Sequence, residues 1–186
     1  MKTLSGALFC LLATLALPAN PAPEEWSKVE NGIRGRLVIM FDPDFAGTEM
    51  PVVYLELQNV SDVANPKEIW LDPHRNFSAW NLRDETGAAV PRNQAVDASI
   101  ITMGPYWITL PYDSILRFRV SVSGYGIKPN GGMAFQLPGA FWQVPRRPGG
   151  GYDLSATFKS APTEKDQRGA WTGTLVLPAV RVPARK

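Results

Sequence analysis

The chain has 186 residues, 19 Lys or Arg against 17 Asp or Glu, a net charge of +2 and 45% hydrophobic residues, which suits one domain with a core of its own. Its basic residues are scattered apart from Arg146-Arg147 and the terminal Arg181, Arg185 and Lys186; with no stripe to follow a phosphate backbone, nucleic acid is excluded as a partner. One histidine, His74, and one cysteine, Cys10, leave few of the nucleophiles, bases and soft metal ligands that enzymes use.

Residues 1–19 read as a cleaved export signal. Lys2 supplies a positive start, Leu4 to Leu17 an apolar run, and Leu17-Pro18-Ala19 a small-residue cleavage site, with Asn20-Pro21-Ala22 a weaker second one. The run is shorter than the about 20 residues a membrane-spanning helix needs, so no span is expected. Cys10 sits inside the run behind bulky Phe9, whereas a lipidated cysteine would follow it. Cleavage after Ala19 leaves residues 20–186 without a thiol, in the periplasm, at the cell surface or outside the cell. Hydrophobic packing must then hold the mature chain together, since no disulfide within it is available.

Residues 20–32 form a lead-in without periodicity, residues 33–182 a single domain and residues 183–186 a short basic tail. Inside the domain the dominant pattern is alternation of period two, the mark of a strand half-buried against a core. Ile33, Leu37, Ile39 and Phe41 alternate with Arg34, Arg36 and Met40. Val53, Leu55 and Leu57 alternate with Tyr54, Glu56 and Gln58. Leu116, Phe118, Val120 and Val122 are set against Arg117, Arg119 and Ser121, and Tyr152, Leu154, Ala156 and Phe158 against Asp153, Ser155, Thr157 and Lys159. Shorter strands are predicted at 68–71, 77–83, 107–110 and 171–177.

Turn residues separate these runs at Asp84-Glu85-Thr86-Gly87, Pro129-Asn130-Gly131-Gly132, Pro138-Gly139 and Gly149-Gly150-Gly151. Seventeen prolines and sixteen glycines leave almost no room for a helix. Eight or nine short strands of uneven length predict an all-β antiparallel sandwich, with a β-barrel-like sandwich as the alternative. Residues 92–105, 123–133 and 138–151 are expected as long loops, where binding usually resides.

Val53-Tyr54-Leu55-Glu56-Leu57-Gln58-Asn59-Val60-Ser61-Asp62 resembles an early strand of immunoglobulin-like modules in exported bacterial proteins, which ends in an Asn-x-Ser turn. Residues 77–82 followed by Asp84, Gly87 and Val90 are similar to their next hairpin, and Leu110-Pro111-Tyr112-Asp113-Ser114 to the entry of a later strand. The same order occurs in immunoglobulin-like domains of the intracellular proteinase inhibitor type. The likeness spans roughly residues 50–125 and implies the fold; it is silent on activity. The chain departs from those inhibitors in its export signal, and it has no counterpart of their inhibitory loop.

Little in the sequence points to chemistry. Counted as a calcium loop from Asp42, Asp44 and Gly47 fall at the third and sixth positions, but Ala46 and Val53 occupy the fifth and twelfth, where oxygen ligands belong. His74 lies in a proline turn with Asp72 two residues before it, and no serine or cysteine motif supplies a nucleophile. A carboxylate pair for glycoside hydrolysis has no local signature. The six tryptophans are Trp26, Trp70, Trp80, Trp107, Trp142 and Trp171. Trp80 and Trp171 read as core. Tyr125 and Trp142, with Arg146 and Arg147 nearby in sequence, are the candidate exposed ligand-binding patch; folding back to cap the core is the other reading for their rings. The expectation is a non-enzymatic binding or structural module of the bacterial envelope, without cofactor or metal, whose partner is an envelope protein or a glycan. A carbohydrate-binding domain and a protease inhibitor are the alternatives.

Overall fold

A computed structural model of the chain describes residues 25–42, 50–93, 105–121, 132–145, 150–160, 162 and 169–183. Residues 1–19, expected as a signal, the first part of the expected lead-in and the residues beyond Pro183 lie outside them. The described residues are mostly strand, arranged in antiparallel sheets of which none closes into a barrel.

The first sheet joins β1 (Ile33–Asp42), β2 (Met50–Asn59) and β6 (Ile115–Arg119) in the order β1-β2-β6. The second joins β4 (Phe77–Arg83), β9 (Gly151–Ser160) and β10 (Gly173–Pro183) in the order β10-β9-β4. Two ribbons complete the fold, β3 (Lys67–Leu71) with β5 (Tyr106–Leu110) and β7 (Gly132–Leu137) with β8 (Ala140–Pro145). The predicted alternation sets which face each strand buries. Leu37, Val53, Leu55 and Leu57 from the first sheet and Leu154, Phe158, Leu175 and Leu177 from the second belong to one hydrophobic cluster. A Cβ on Gly35 would lie 3.0 Å from Leu177 and 3.1 Å from both Leu175 and Leu57, so glycine lets β1 and β10 approach closely.

Side-chain and backbone hydrogen bonds tie the ribbons to the second sheet. Trp171 donates its backbone N–H to Glu68 at 2.7 Å, beside a parallel bridge between Glu68 and Ala170 that links β3 to the start of β10. Trp80 Nε1 donates to the Pro138 carbonyl in the β7–β8 turn, and Tyr152 Oη to the Pro145 carbonyl at the end of β8.

Three features differ from the sequence reading. Residues 138–151 are not one loop, because Ala140–Pro145 form β8. Pro138-Gly139 is a two-residue hairpin turn, with Gly139 at φ +70, a conformation glycine adopts without steric cost. Residues 25–29 are not a shapeless lead-in: Ser27 donates its N–H to the Gly35 carbonyl at 2.8 Å and accepts the Gly35 N–H on its hydroxyl at 3.0 Å. One short helix is present, α1 (Pro73–Asn76), whose cap Asp72 accepts from the His74 backbone N–H.

Candidate functional site

The structure redistributes the residues singled out from sequence. Tyr125, Arg146 and Arg147 lie outside the described residues, as do residues 43–49 of the calcium-like run. Trp142 is a correction. It stands in β8 with 1% of its surface exposed, its Nε1 donating to the Val90 carbonyl at 3.1 Å. Strand alternation turns Trp142 inward together with Ala140 and Val144, which are also buried. Its ring therefore completes the core and offers no surface platform.

His74 is exposed on α1. The Asp72 carboxylate accepts from the His74 backbone N–H at 3.1 Å and sits 3.5 Å from Arg75, so it caps the turn. Among the described residues no group of three or more His, Cys, Asp or Glu is placed to hold a metal ion.

Of the six tryptophans, Trp70, Trp80, Trp142 and Trp171 are buried, Trp26 is half-buried and Trp107 is 43% exposed. Strand β5 pairs with β3 so that Trp107 stands opposite Trp70 and Thr109 opposite Glu68. Thr109 Oγ1 donates to Glu68 Oε1 at 2.6 Å. Trp107 and Thr109 share one face of the strand, two residues and roughly 6.5–7 Å apart. A flat apolar ring thus lies one step along the strand from a hydroxyl and a carboxylate. Tyr106, on the opposite face, leans on Phe118 with ring centres 6.0 Å apart and is also exposed, as is Tyr112 in the turn that follows. This combination can hold a ligand that has both an apolar face and hydrogen-bonding edges.

The outer face of the β1-β2-β6 sheet carries the strongest electrostatic feature. Register places Arg36, Glu56 and Arg117 side by side on three adjacent strands. Glu56 is only 2% exposed; Arg36 Nε donates to its Oε2 at 2.7 Å and Arg117 Nε to its Oε1 at 2.7 Å. Burial pushes the Glu56 carboxyl up, but hydrogen bonds and charge from Arg36 and Arg117 outweigh it and hold the group below its ordinary value. One row away, Arg34 donates from Nε and Nη2 to Gln58 Oε1, and Gln58 donates on to Asp113. The Trp26 ring lies across both Arg34 and Arg36, 4.8 and 4.5 Å from their guanidinium carbons, a cation–π arrangement.

Sequence reasoning predicts β5 as a strand but does not single out Trp107, because exposure depends on what covers the strand. It reads Glu56 as an ordinary outward residue, because its partners lie 20 and 61 positions away in the chain. No protein-family model, curated protein or solved structure matches this chain.

Proposed function

We propose that the chain is an exported, non-enzymatic binding module of the bacterial cell envelope, an immunoglobulin-like β-sandwich that holds its partner on the β5 face at Trp107. The observation that carries the reading is the exposure of Trp107 beside the Glu68–Thr109 pair while four other tryptophans are buried. A large aromatic ring left facing water on an ordered strand is apolar surface that a ligand can cover. The signal-like residues 1–19 support export. Two three-stranded antiparallel sheets feeding one core support the sandwich.

A glycan is the favoured class of partner. Sugars present an apolar ring face to an aromatic side chain and hydroxyls to a carboxylate, and β5 with β3 carries both. Protease inhibition would call for a protruding rigid loop, and residues 94–104, 122–131 and 146–149 lie outside the described residues. The test passes residues 20–186, wild type and Trp107→Ala, over immobilised envelope polysaccharide and over envelope protein extract. Wild type should be retained on the polysaccharide and the variant should elute early while still melting in one cooperative transition. Equal retention of both proteins would remove Trp107 as the contact, and retention only on protein would replace the glycan reading.

A further inference from the structure

The carboxylate beside Trp107 carries a charge that the fold does not neutralise. Thr109 Oγ1 donates to Glu68 Oε1 at 2.6 Å, and among the described residues no Lys, Arg or His pairs with Glu68. By contrast Glu56, Asp72 and Asp153 each meet a guanidinium. Lys67, the neighbouring cation in the chain, belongs to the other face of the ribbon, opposite buried Leu110. Its Cε lies 3.2 Å from the point where a Cβ on Gly32 would stand. Asp113, in the turn after β5, accepts from Gln58 of the first sheet.

Register sets the Glu68 carboxylate against the exposed ring. Glu68 stands across from Thr109 and Trp70 across from Trp107. Glu68 and Trp107 are therefore diagonal neighbours on one face of an antiparallel pair, about 7–8 Å apart along the backbone and close enough for long side chains to share a ligand. Trp107 is 43% exposed and Trp70 only 3%, so Trp107 is the ring a ligand can reach. Both groups select for the same charge. A carboxylate without a counter-ion attracts a cation, and so does the face of an indole ring. A sugar with hydroxyls alone leaves that charge unmet, and a sugar acid is repelled by it. An unsubstituted amino sugar can lay its apolar ring face on Trp107 and bring an ammonium, a donor of three hydrogen bonds, to Glu68. Acylating the nitrogen removes the charge. Resting on the glycan reading of the Trp107 face, we infer that the site takes a glycan with free amino groups, and that Glu68 is the residue that recognises the ammonium.

Calorimetric titration of residues 20–186 tests this with two β-linked glucosamine oligomers of equal length, one unsubstituted and one N-acetylated throughout, in buffer that keeps the free amine protonated. The unsubstituted oligomer should bind about tenfold more tightly, from one exposed ion pair and one exposed cation–π contact together. Added salt should shrink the difference. Glu68→Gln keeps an oxygen for the Thr109 hydroxyl and removes the charge. It should reduce the preference to about threefold, the share of the ring, while a single cooperative melting transition shows that the variant folds. Equal affinity for the two oligomers, preference for the acetylated one, a preference undiminished in Glu68→Gln, or binding of neither oligomer would overturn the inference. Retention of wild type but not Trp107→Ala on envelope polysaccharide would leave the glycan reading standing in each of those cases, so the two fail separately.

Discussion

Glu56 shows how a single buried charge can be tolerated on a sheet face. A carboxylate taken out of water costs several kcal/mol unless donors replace its solvation, and here two guanidinium groups approach it from the neighbouring strands. Replacing it with glutamine leaves Arg36 and Arg117 facing an amide that can neutralise neither. Glu56→Gln should cost about 2 kcal/mol, less than the loss from a fully buried pair because Arg117 is half-exposed and can rehydrate. The sign of the pH dependence follows from the lowered folded-state value. The carboxylate's contribution is complete above about pH 4.3, the ordinary value in an unfolded chain, and is lost as pH falls through the lower value of the folded state. Urea unfolding of both proteins from neutral to acid pH checks this. The gap between wild type and variant should be widest near neutrality and narrow in acid; a constant gap would mean that the charge contributes nothing. Trp142 makes the complementary case for an uncharged group. Trp142→Ala should cost about 3–5 kcal/mol by opening a cavity in the core, whereas Trp107→Ala, from a ring that is 43% exposed, should cost less, about 1–2 kcal/mol.

The strands differ in how plainly the sequence announces them, and the reason is how many of their faces meet water. β1 and β9 alternate cleanly because one face packs on the core and the other carries arginines, aspartate, threonine or lysine; β2 alternates in sequence because Glu56 and Gln58 are polar, although they too are buried. β8 defeats the same logic: Ala140, Phe141 and Trp142 are consecutive and all buried, so the alternation begins only at exposed Gln143. Its Pro145 then merges with the following Arg-Arg-Pro-Gly-Gly stretch into something that reads as loop. β5 is legible as a strand but not as a site, since Tyr-Trp-Ile-Thr-Leu has the same pattern whether or not something covers Trp107. The ion-pair row was equally hidden, because each partner comes from a different strand and only the register brings them together. Close approach of β1 to β10 is another contact that no local pattern displays. Gly35→Val would place methyl groups against Leu57, Leu175 and Leu177 and should cost about 1–3 kcal/mol. Thermal denaturation of the variant reads the loss, and a wild-type melting temperature would show that the two strands can separate without penalty.

At the scale of the whole molecule, the core is what joins pieces that are separate in hydrogen bonding. The sheets and ribbons exchange few backbone hydrogen bonds, yet residues of β1, β2, β3, β4, β5, β7, β8, β9 and β10 all enter one buried cluster. Trp171 shows the coupling in miniature. Its backbone N–H donates to the Glu68 carbonyl in β3, its indole Nε1 donates to the Glu30 carbonyl ahead of β1, and its ring stacks on Phe158 of β9. A chain held by one shared core, with a single cysteine that can form no disulfide within it, has no covalent seam at which part of it could unfold alone. Unfolding should therefore be a single cooperative transition. Buried tryptophans report from β3, β4, β8 and the approach to β10, while far-ultraviolet circular dichroism reports all strands together. The fluorescence and dichroism melting curves should coincide, and they should be unchanged by reductant. Two separated transitions would mean that a ribbon or a sheet is an independent unit, and the surfaces at Trp107 and at the arginine row would then belong to separately folding parts.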